Sequence, residues 1–445
     1  MKITPNTFHL ISLGCAKNLV DSQGLWSYLT QQGFTLVEDP NQAEFVIINT
    51  CGFIHDARQE SLQELQEFSK HKRQRQKLIA TGCLSERYRA ELLKSVPGID
   101  GMMGTRDLAD ILPLIQTLTE HTHTHSEMYF PEHTQIINHP DLPGYTIQGG
   151  SSYLKIADGC RRSCAFCAIP GIKGTLVSRD KGDIIRDALA LQQAGVQEIN
   201  IIAQDVTDYG QDLGQHDGLP DLLVELLSAV PHIPWVRLLY TFPGYISDRL
   251  IGLMAESPRL LPYLDIPLQH ADPKVLQSMH RPSDVDWVRR TVAKMRTKLP
   301  DLVLRTTFIV GYPTETKESF QMLKDFIVEM QFDHVGVFTY SMESGTPAES
   351  LSDPISAEVK EARRQELMTL QAGISYQKNQ KLCGKVLSML VEGVDRKNGV
   401  LIGRTYRDAP EIDGLVIAEG TGEVGELLPV RITAAMQHDL FGQVL

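Results

Sequence analysis

Three cysteines, Cys160, Cys164 and Cys167, fall within eight residues in a stretch that begins at Asp158 and reads Asp-Gly-Cys-Arg-Arg-Ser-Cys-Ala-Phe-Cys. Thiolates this close together in a reducing compartment suit a metal or a cluster better than a disulfide. An iron–sulfur cube has four irons, so three local thiolates leave one iron open to another ligand. Zinc held by three cysteines and a distant histidine fits the same spacing, as does a cysteine-rich loop with no ligand. The cluster is the reading the spacing favours.

A second set of thiols is scattered through the first hundred residues. Phe8 to Leu13 is a short apolar run ending in Gly14-Cys15, and Glu44 to Asn49 is a buried-type strand running into Thr50-Cys51-Gly52. Lys77 to Ala80 is a third strand, followed by Thr81-Gly82-Cys83. Helical periodicity separates them, through Leu19, Leu25 and Leu29 and then Leu62, Leu65 and Phe68, with a basic end from Lys70 to Lys77. Strands alternating with helices make a parallel sheet, whose C-terminal loops converge on one crevice. Cys15, Cys51 and Cys83 each lie just past a strand and beside a glycine, so the three thiols should meet. Free cysteine is also a common core residue, but the shared strand-end position favours a joint site.

From Tyr153 to about Ser341 strand and helix alternate, with strands at Tyr153–Ala157, Glu198–Ala203, Trp235–Tyr240, Tyr263–Pro267, Leu302–Val310 and His334–Tyr340. Six such units are too few for a closed eight-stranded barrel, so a partial, open (β/α)6 barrel is expected, with its chemistry at the C-terminal strand ends. The close trio follows the first strand. Gln204, Asp205 and Asp208 follow the second, Gln269 and His270 the fourth, and Arg305 opens a segment that turns at Gly311 and Pro313. As a set they read as the rim of a pocket.

Residues 117–145 read as a linker, with His121, His123 and His125 in a polar run and prolines at 131, 140 and 143. Asp353 to Gln380 reads as a charged helix broken near Gly373. Short strands follow at Lys385–Glu392, Leu401–Arg404, Gly414–Ala418 and Leu428–Thr433, which suggests a small antiparallel barrel. The expected domains are therefore 1–116, a parallel α/β sheet; the linker; 146–377, the partial barrel; and 378–445, the small barrel. Cys383 stands apart and reads as a structural free thiol.

The 445 residues carry a net charge of −12 and are 42% hydrophobic. Broad phosphate-backbone binding needs basic surface, so an acidic chain suits a basic protein partner or a small molecule better. From Lys378 onward eight Lys and Arg face nine Asp and Glu, which argues against a general RNA grip by the small barrel. No apolar run approaches the roughly 18–20 residues that span a bilayer. The first residues read as a strand and not as a secretory signal, and seven cysteines without a disulfide framework fit the cytoplasm.

The Cys-x3-Cys-x2-Cys spacing, with Phe166 before its last cysteine, resembles the signature of the radical S-adenosylmethionine enzymes. The full layout, with Cys15, Cys51 and Cys83 ahead of a radical core and a small TRAM-type barrel behind it, resembles the methylthiotransferases across essentially the whole chain. Within them, Tyr263-Leu-Asp-Ile-Pro-Leu-Gln-His-Ala271 and Arg407-Asp-Ala-Pro-Glu-Ile-Asp-Gly414 look like the branch that modifies ribosomal protein S12. The sister branch acts on an adenosine of tRNA and would be expected to carry a more basic barrel.

The resemblance implies that Cys160, Cys164 and Cys167 hold a [4Fe–4S] cluster whose open iron is chelated by S-adenosylmethionine. It implies a 5′-deoxyadenosyl radical that takes a hydrogen from the β-carbon of an aspartate in the ribosomal protein. It also implies a second [4Fe–4S] cluster on Cys15, Cys51 and Cys83, where sulfur is carried and methylated by another S-adenosylmethionine. An electron-donor protein and a sulfur source complete the partners, with no membrane among them. Gln204, Asp205 and Arg305 are the rim residues chosen by position for contact with S-adenosylmethionine. An acidic chain suits a basic ribosomal protein, and raised ionic strength should then weaken their association.

Two competing functions make different predictions. A tRNA methylthiotransferase predicts modified adenosine that vanishes with the gene while the ribosomal protein stays unchanged. A non-catalytic iron–sulfur or zinc RNA-binding protein predicts no cleavage of S-adenosylmethionine.

Overall fold

The computed structural model describes residues 3–120, 126–133 and 135–445. The chain divides into two compact units. One comprises Met1–Thr146, Leu154–Ile184 and Glu343–Pro347, the other Ile147–Tyr153, Ile185–Met342 and Ala348–Leu445.

In the first unit, β1 (Thr7–Ser12), β2 (Thr35–Leu36), β3 (Phe45–Thr50), β4 (Lys77–Gly82), β5 (Gly101–Met103) and β6 (Glu127–Tyr129) form a sheet in the order β2-β1-β3-β4-β5-β6. Every pairing is parallel. Parallel neighbours require crossovers, supplied among others by α1 (Ala16–Gln31), α2 (His55–His71), α3 (Cys83–Ser95) and α4 (Ile111–Glu120). Strand β3 is buried at every position, as a strand covered on both faces must be. Its period of two feeds two cores: Phe45 and Ile47 pack with Phe8, Leu25 and Leu114, while Val46 and Ile48 pack with Leu65, Leu78 and Leu84.

The stretch expected as a linker, 117–145, is more structured than its composition implied. Leu118 is buried in the last turn of α4, and β6 adds an edge to the sheet. The apolar spacing of Leu114 and Leu118 carries the helix past Thr117, and a three-residue edge strand leaves too short a pattern to read. His121, His123 and His125 lie outside the described residues.

Beyond β6 come β7 (Tyr145–Gln148) and β8 (Ser151–Lys155), then β9 (Ala157–Asp158) and β10 (Val177–Ser178). The last two pair antiparallel at the base of the close cysteine trio. A short helix, α5 (Ile169–Lys173), follows Cys167 and Ala168.

In the second unit, β11 (Glu198–Ile202), β12 (Trp235–Leu238), β13 (Leu260–Asp265), β14 (Val303–Val310) and β15 (His334–Thr339) run parallel. They belong to an open seven-stranded sheet in the order β15-β14-β13-β12-β11-β8-β7. The six strands expected between Tyr153 and Tyr340 are present, and the sheet stays open. The last long helix, Ala357–Gln380, runs unbroken through Gly373, against expectation. A single interior glycine costs only about 1 kcal/mol of helix propensity, and Leu367, Gln371 and Ile374 are buried around it.

The C-terminal strands β16 (Val386–Asp395), β17 (Val400–Thr405), β18 (Val416–Glu419), β19 (Leu427–Ala435) and β20 (Leu440–Val444) close into a barrel. Its pairings are antiparallel except β18–β20, which is parallel and completes the closure. Met389, Val391, Leu401, Val416, Val430 and Leu440 fill the interior. Strand β20 lies outside the expected set, because Gly442 interrupts a run of only five residues.

Candidate iron–sulfur and cofactor site

The strand-end rule brings Cys15, Cys51 and Cys83 to one edge of the first unit. Cys15 caps the N-terminus of α1, Cys51 follows β3, and Cys83 opens α3 directly after β4. Gly14 has φ +93°, and a Cβ there would sit 2.6 Å from Cys51 Cβ and 2.9 Å from its Sγ. A Cβ on Gly52 would lie 2.7 Å from Leu84 Cα. Both glycines are therefore needed for the three loops to close on one another.

Asn18, which the sequence did not single out, ties these loops together. Its Nδ2 donates to Leu13 O at 2.9 Å and Thr50 O at 3.1 Å, the carbonyls just ahead of the first two cysteine turns. Its Oδ1 faces Cys83 Sγ at 3.7 Å. Cys51 is fixed through Ser61, whose Oγ accepts from Cys51 N and donates to Cys51 O. Arg87 donates to Gly52 O at 2.9 Å and pairs with Glu343 at 2.9 Å. Burial pushes the thiols of Cys51 and Cys83 up from their ordinary values. Two buried cysteines, Cys51 and Cys83, and the exposed Cys15, on loops fixed from behind, form a soft donor set suited to an iron–sulfur cluster.

The close trio lies in the same unit. Cys160 N donates to Gly174 O at 3.1 Å and Cys167 N to Cys164 O at 3.1 Å, so the loop is held at both ends. Cys164 is buried, while Cys160 and Cys167 are partly exposed. Cys83 packs against Ala168 and Ile172, so a ligand candidate of one trio shares a wall with the helix leading away from the other. Behind that wall sits a buried quartet of charges. Lys155 contacts Asp21 at 2.5 Å and Asp158 at 3.0 Å, and Lys173 contacts the same pair at 2.8 and 3.2 Å. Burial alone would lower Lys173, but Asp158 and Asp21 together hold it above its usual value.

The unit also contains Asp107, Asp110 and His133, whose ligand atoms lie within 4.8 Å of one another. His139 Nε2 is 2.6 Å from Asp107, and that bond raises the His139 pKa. Their positions are too far apart in sequence to have been grouped.

In the second unit, Gln204 and Asp205 follow β11 as expected. Asp205 is buried and accepts from Thr207 N at 3.0 Å, capping the turn Val206–Asp208. Gln269 has φ +73°, a strained conformation for a residue with a side chain. Among the described residues no hydrogen bond meets its buried Oε1. His270, by contrast, is fully used: it accepts from Asp272 N and pairs with Glu315, which Arg363 also holds.

Arg305 does not join the strand-end group. It is the third residue of β14, far from the turn at Gly311, and its guanidinium contacts Asp265 at 3.1 Å and Asp413 at 3.3 Å. Burial would lower its pKa, but Asp265 and other neighbours hold it above the ordinary arginine value. Its two carboxylate partners come from β13 and from the Arg407–Gly414 segment, so its charge is spent inside the unit.

Residues 7–104 match the family described as uncharacterized protein family UPF0004, residues 154–327 the radical SAM superfamily, and residues 383–445 the TRAM domain. The chain is 44% identical to the ribosomal protein uS12 methylthiotransferase RimO of Roseiflexus sp. (strain RS-1), over 98% of this chain and 97% of that protein. It is 42% identical to the protein of that name from Thermoanaerobacter sp. (strain X514), over 98% of this chain and 99% of that one. The radical S-adenosylmethionine methyltransferase TsrM of Kitasatospora setae, solved with cobalamin and a [4Fe–4S] cluster, shares the fold at TM-score 0.59 and 12% identity, over 88% of this chain and 82% of that one. By its near-full-length identity to these relatives, the chain belongs to the RimO family of ribosomal protein uS12 methylthiotransferases.

Proposed function

We propose that this chain is a radical S-adenosylmethionine enzyme that places a methylthio group on the β-carbon of an aspartate in ribosomal protein uS12. The observation that carries the reading is the pair of cysteine trios in one compact unit, with Cys83 packed against the helix that follows Cys167. Cys160, Cys164 and Cys167 would hold one [4Fe–4S] cluster, and Cys15, Cys51 and Cys83 a second. Bound with S-adenosylmethionine, such clusters supply the one-electron chemistry that an unactivated C–H bond needs and that no acid–base side chain provides.

The chain's own residues do the placing. Asn18 and Ser61 fix the loops of the distant trio, and Gly14 lets two of them touch. Gln204 and Asp205 remain the candidates for contact with S-adenosylmethionine. Arg305 is withdrawn from that set because Asp265 and Asp413 occupy it.

A protein substrate also agrees with the small barrel's charges. Arg404 and Arg407 are buried against Glu198 and Asp333, which removes two of its eight basic residues from any phosphate-binding face. The reading implies a cytoplasmic enzyme served by an electron-donor protein and a sulfur source. Among the described residues no helix is long and apolar enough to cross a membrane.

The test is the intact mass of uS12 from cells with and without this gene. A methylthio increment present only with the gene is the expected result. Identical masses would overturn the substrate, and loss of a methylthio group from tRNA instead would transfer the activity to the sister branch.

A further inference from the structure

The buried charge quartet of the first unit has no place in the chemistry described so far. Asp21 lies on α1 beyond Cys15, Asp158 lies two positions before Cys160, and Lys173 ends the short helix after Cys167. Lys155 completes the set from the strand before the loop. Asp158, Lys173 and Asp21 are 1%, 2% and 3% exposed. Two ammonium groups against two carboxylates leave the quartet neutral overall.

Stability alone is a poor reason for this arrangement. Removing four charges from water carries a penalty that an apolar cluster of similar volume would avoid. The location supplies a better one. Ile172, the residue before Lys173, shares one buried cluster with Cys83 and Ala168. Asn18, whose Oδ1 lies 3.7 Å from Cys83 Sγ, stands three residues before Asp21 on the same helix, and Asp21 holds the Lys173 ammonium at 2.8 Å.

We propose that Lys173, held in place by Asp21 and Asp158, sets the reduction potential of the iron–sulfur centre at Cys15, Cys51 and Cys83. The proposal rests on the ligand assignment made above. Reduction adds negative charge to a centre that three thiolates already make negative. A fixed ammonium in a low-dielectric wall favours the reduced form, and the carboxylates hold that ammonium at one distance. Lys173 is thus a positioning and tuning residue, which need not touch substrate.

The experiment is a potentiometric titration followed by electron paramagnetic resonance on the full chain, purified anaerobically. Cys160, Cys164 and Cys167 are replaced by alanine in every sample, so that the distant trio's centre is read alone. Lys173→Met should lower its midpoint, and a tenfold weaker reduction equilibrium would read as about 59 mV for one electron. Lys173→Arg keeps the charge and should restore most of the shift. Asp21→Asn leaves the quartet net positive and should move the midpoint the other way.

Absence of any iron–sulfur centre from the alanine background would overturn the ligand assignment itself. A centre whose midpoint is the same with lysine and methionine leaves the assignment standing and overturns the tuning role. Should Lys173→Met fail to fold, the near-isosteric Asp21→Asn carries the test, and an unchanged or lowered midpoint there overturns the proposal.

Discussion

The phenol of Tyr263 donates to Asp413 Oδ2 at 2.6 Å, joining the two segments whose sequences carried the likeness to the S12-modifying branch. Tyr263 sits in β13 of the open sheet and Asp413 in the loop between β17 and β18 of the barrel. Arg305 and His334 also face Asp413, at 3.3 and 3.6 Å; burial alone would raise its carboxyl, but these neighbours and the Tyr263 hydroxyl hold it below the usual range. The joint is dry. Tyr263→Phe should therefore cost about 1–3 kcal/mol, the range for leaving a buried charged acceptor short of one donor. Urea unfolding of the two proteins measures it, and an unchanged midpoint would mean that the hydroxyl contributes nothing to seating the barrel.

That joint also shows what the sequence could and could not convey. The tyrosine and aspartate motifs were legible as marks of a family, but their physical role in the structure is packing between barrel and sheet. The strand-end cysteines were legible because a parallel sheet leaves few places for its C-terminal loops to go. Asn18 was not, since an asparagine one turn into a helix has the same pattern as a solvated one. Arg305 was legible as a residue near the start of its strand, Leu302–Val310 as expected and Val303–Val310 as observed, but its pairing with Asp265 and Asp413 joins distant segments that share no pattern. The quartet was invisible because Asp21 and Lys173 are far apart in the chain and share no pattern.

Acid should loosen the second unit through Glu198. Burial alone would raise its carboxyl, but Arg237 and Arg404 hold it at about 2, down from 4.5. Their nitrogens lie 2.8 and 2.6 Å from its oxygens. A depressed carboxyl stabilises the fold above its unfolded value and loses that contribution as pH falls through its folded value. The contribution should be complete above pH 4.5 and fade towards pH 2. It is worth roughly 3 kcal/mol at about 1.4 kcal/mol per unit. Glu198→Gln should flatten this part of the pH dependence, and at neutral pH it should cost about 3–5 kcal/mol, because Arg237 loses its carboxylate partner and Arg404 keeps only Glu392. Unfolding followed by tryptophan emission at several pH values tests both. A variant with the parent's acid slope would assign that slope to other carboxylates.

Asn18→Leu keeps the volume of the side chain and removes both of its donors. Leu13 O and Thr50 O then lose their shared partner, and the loops bearing Cys15 and Cys51 lose their common anchor. The expected outcome is a folded protein short of one cluster, with about four fewer irons per chain. Iron and sulfide analysis after anaerobic reconstitution reads this directly. Full iron content would reduce Asn18 to an ordinary buried amide.

Single alanine substitutions in the two trios should separate the two halves of the chemistry. Cys164 is buried in the loop that the Cys160–Gly174 hydrogen bond holds closed, and on the proposed assignment Cys164→Ala would remove a ligand of the radical centre. It should abolish cleavage of S-adenosylmethionine. Cys51 lies across Gly14 from Cys15, in a different set of loops. Cys51→Ala should retain at least part of the cleavage and lose methylthiolation of uS12. The contact of Cys83 with Ala168 and Ile172 sets a limit on that independence, because a collapsed distant trio would disturb the wall beside Cys167. Cleavage in Cys51→Ala should accordingly fall below the parent rate without vanishing. Full methylthiolation by Cys51→Ala would end the assignment of a second cluster to Cys15, Cys51 and Cys83.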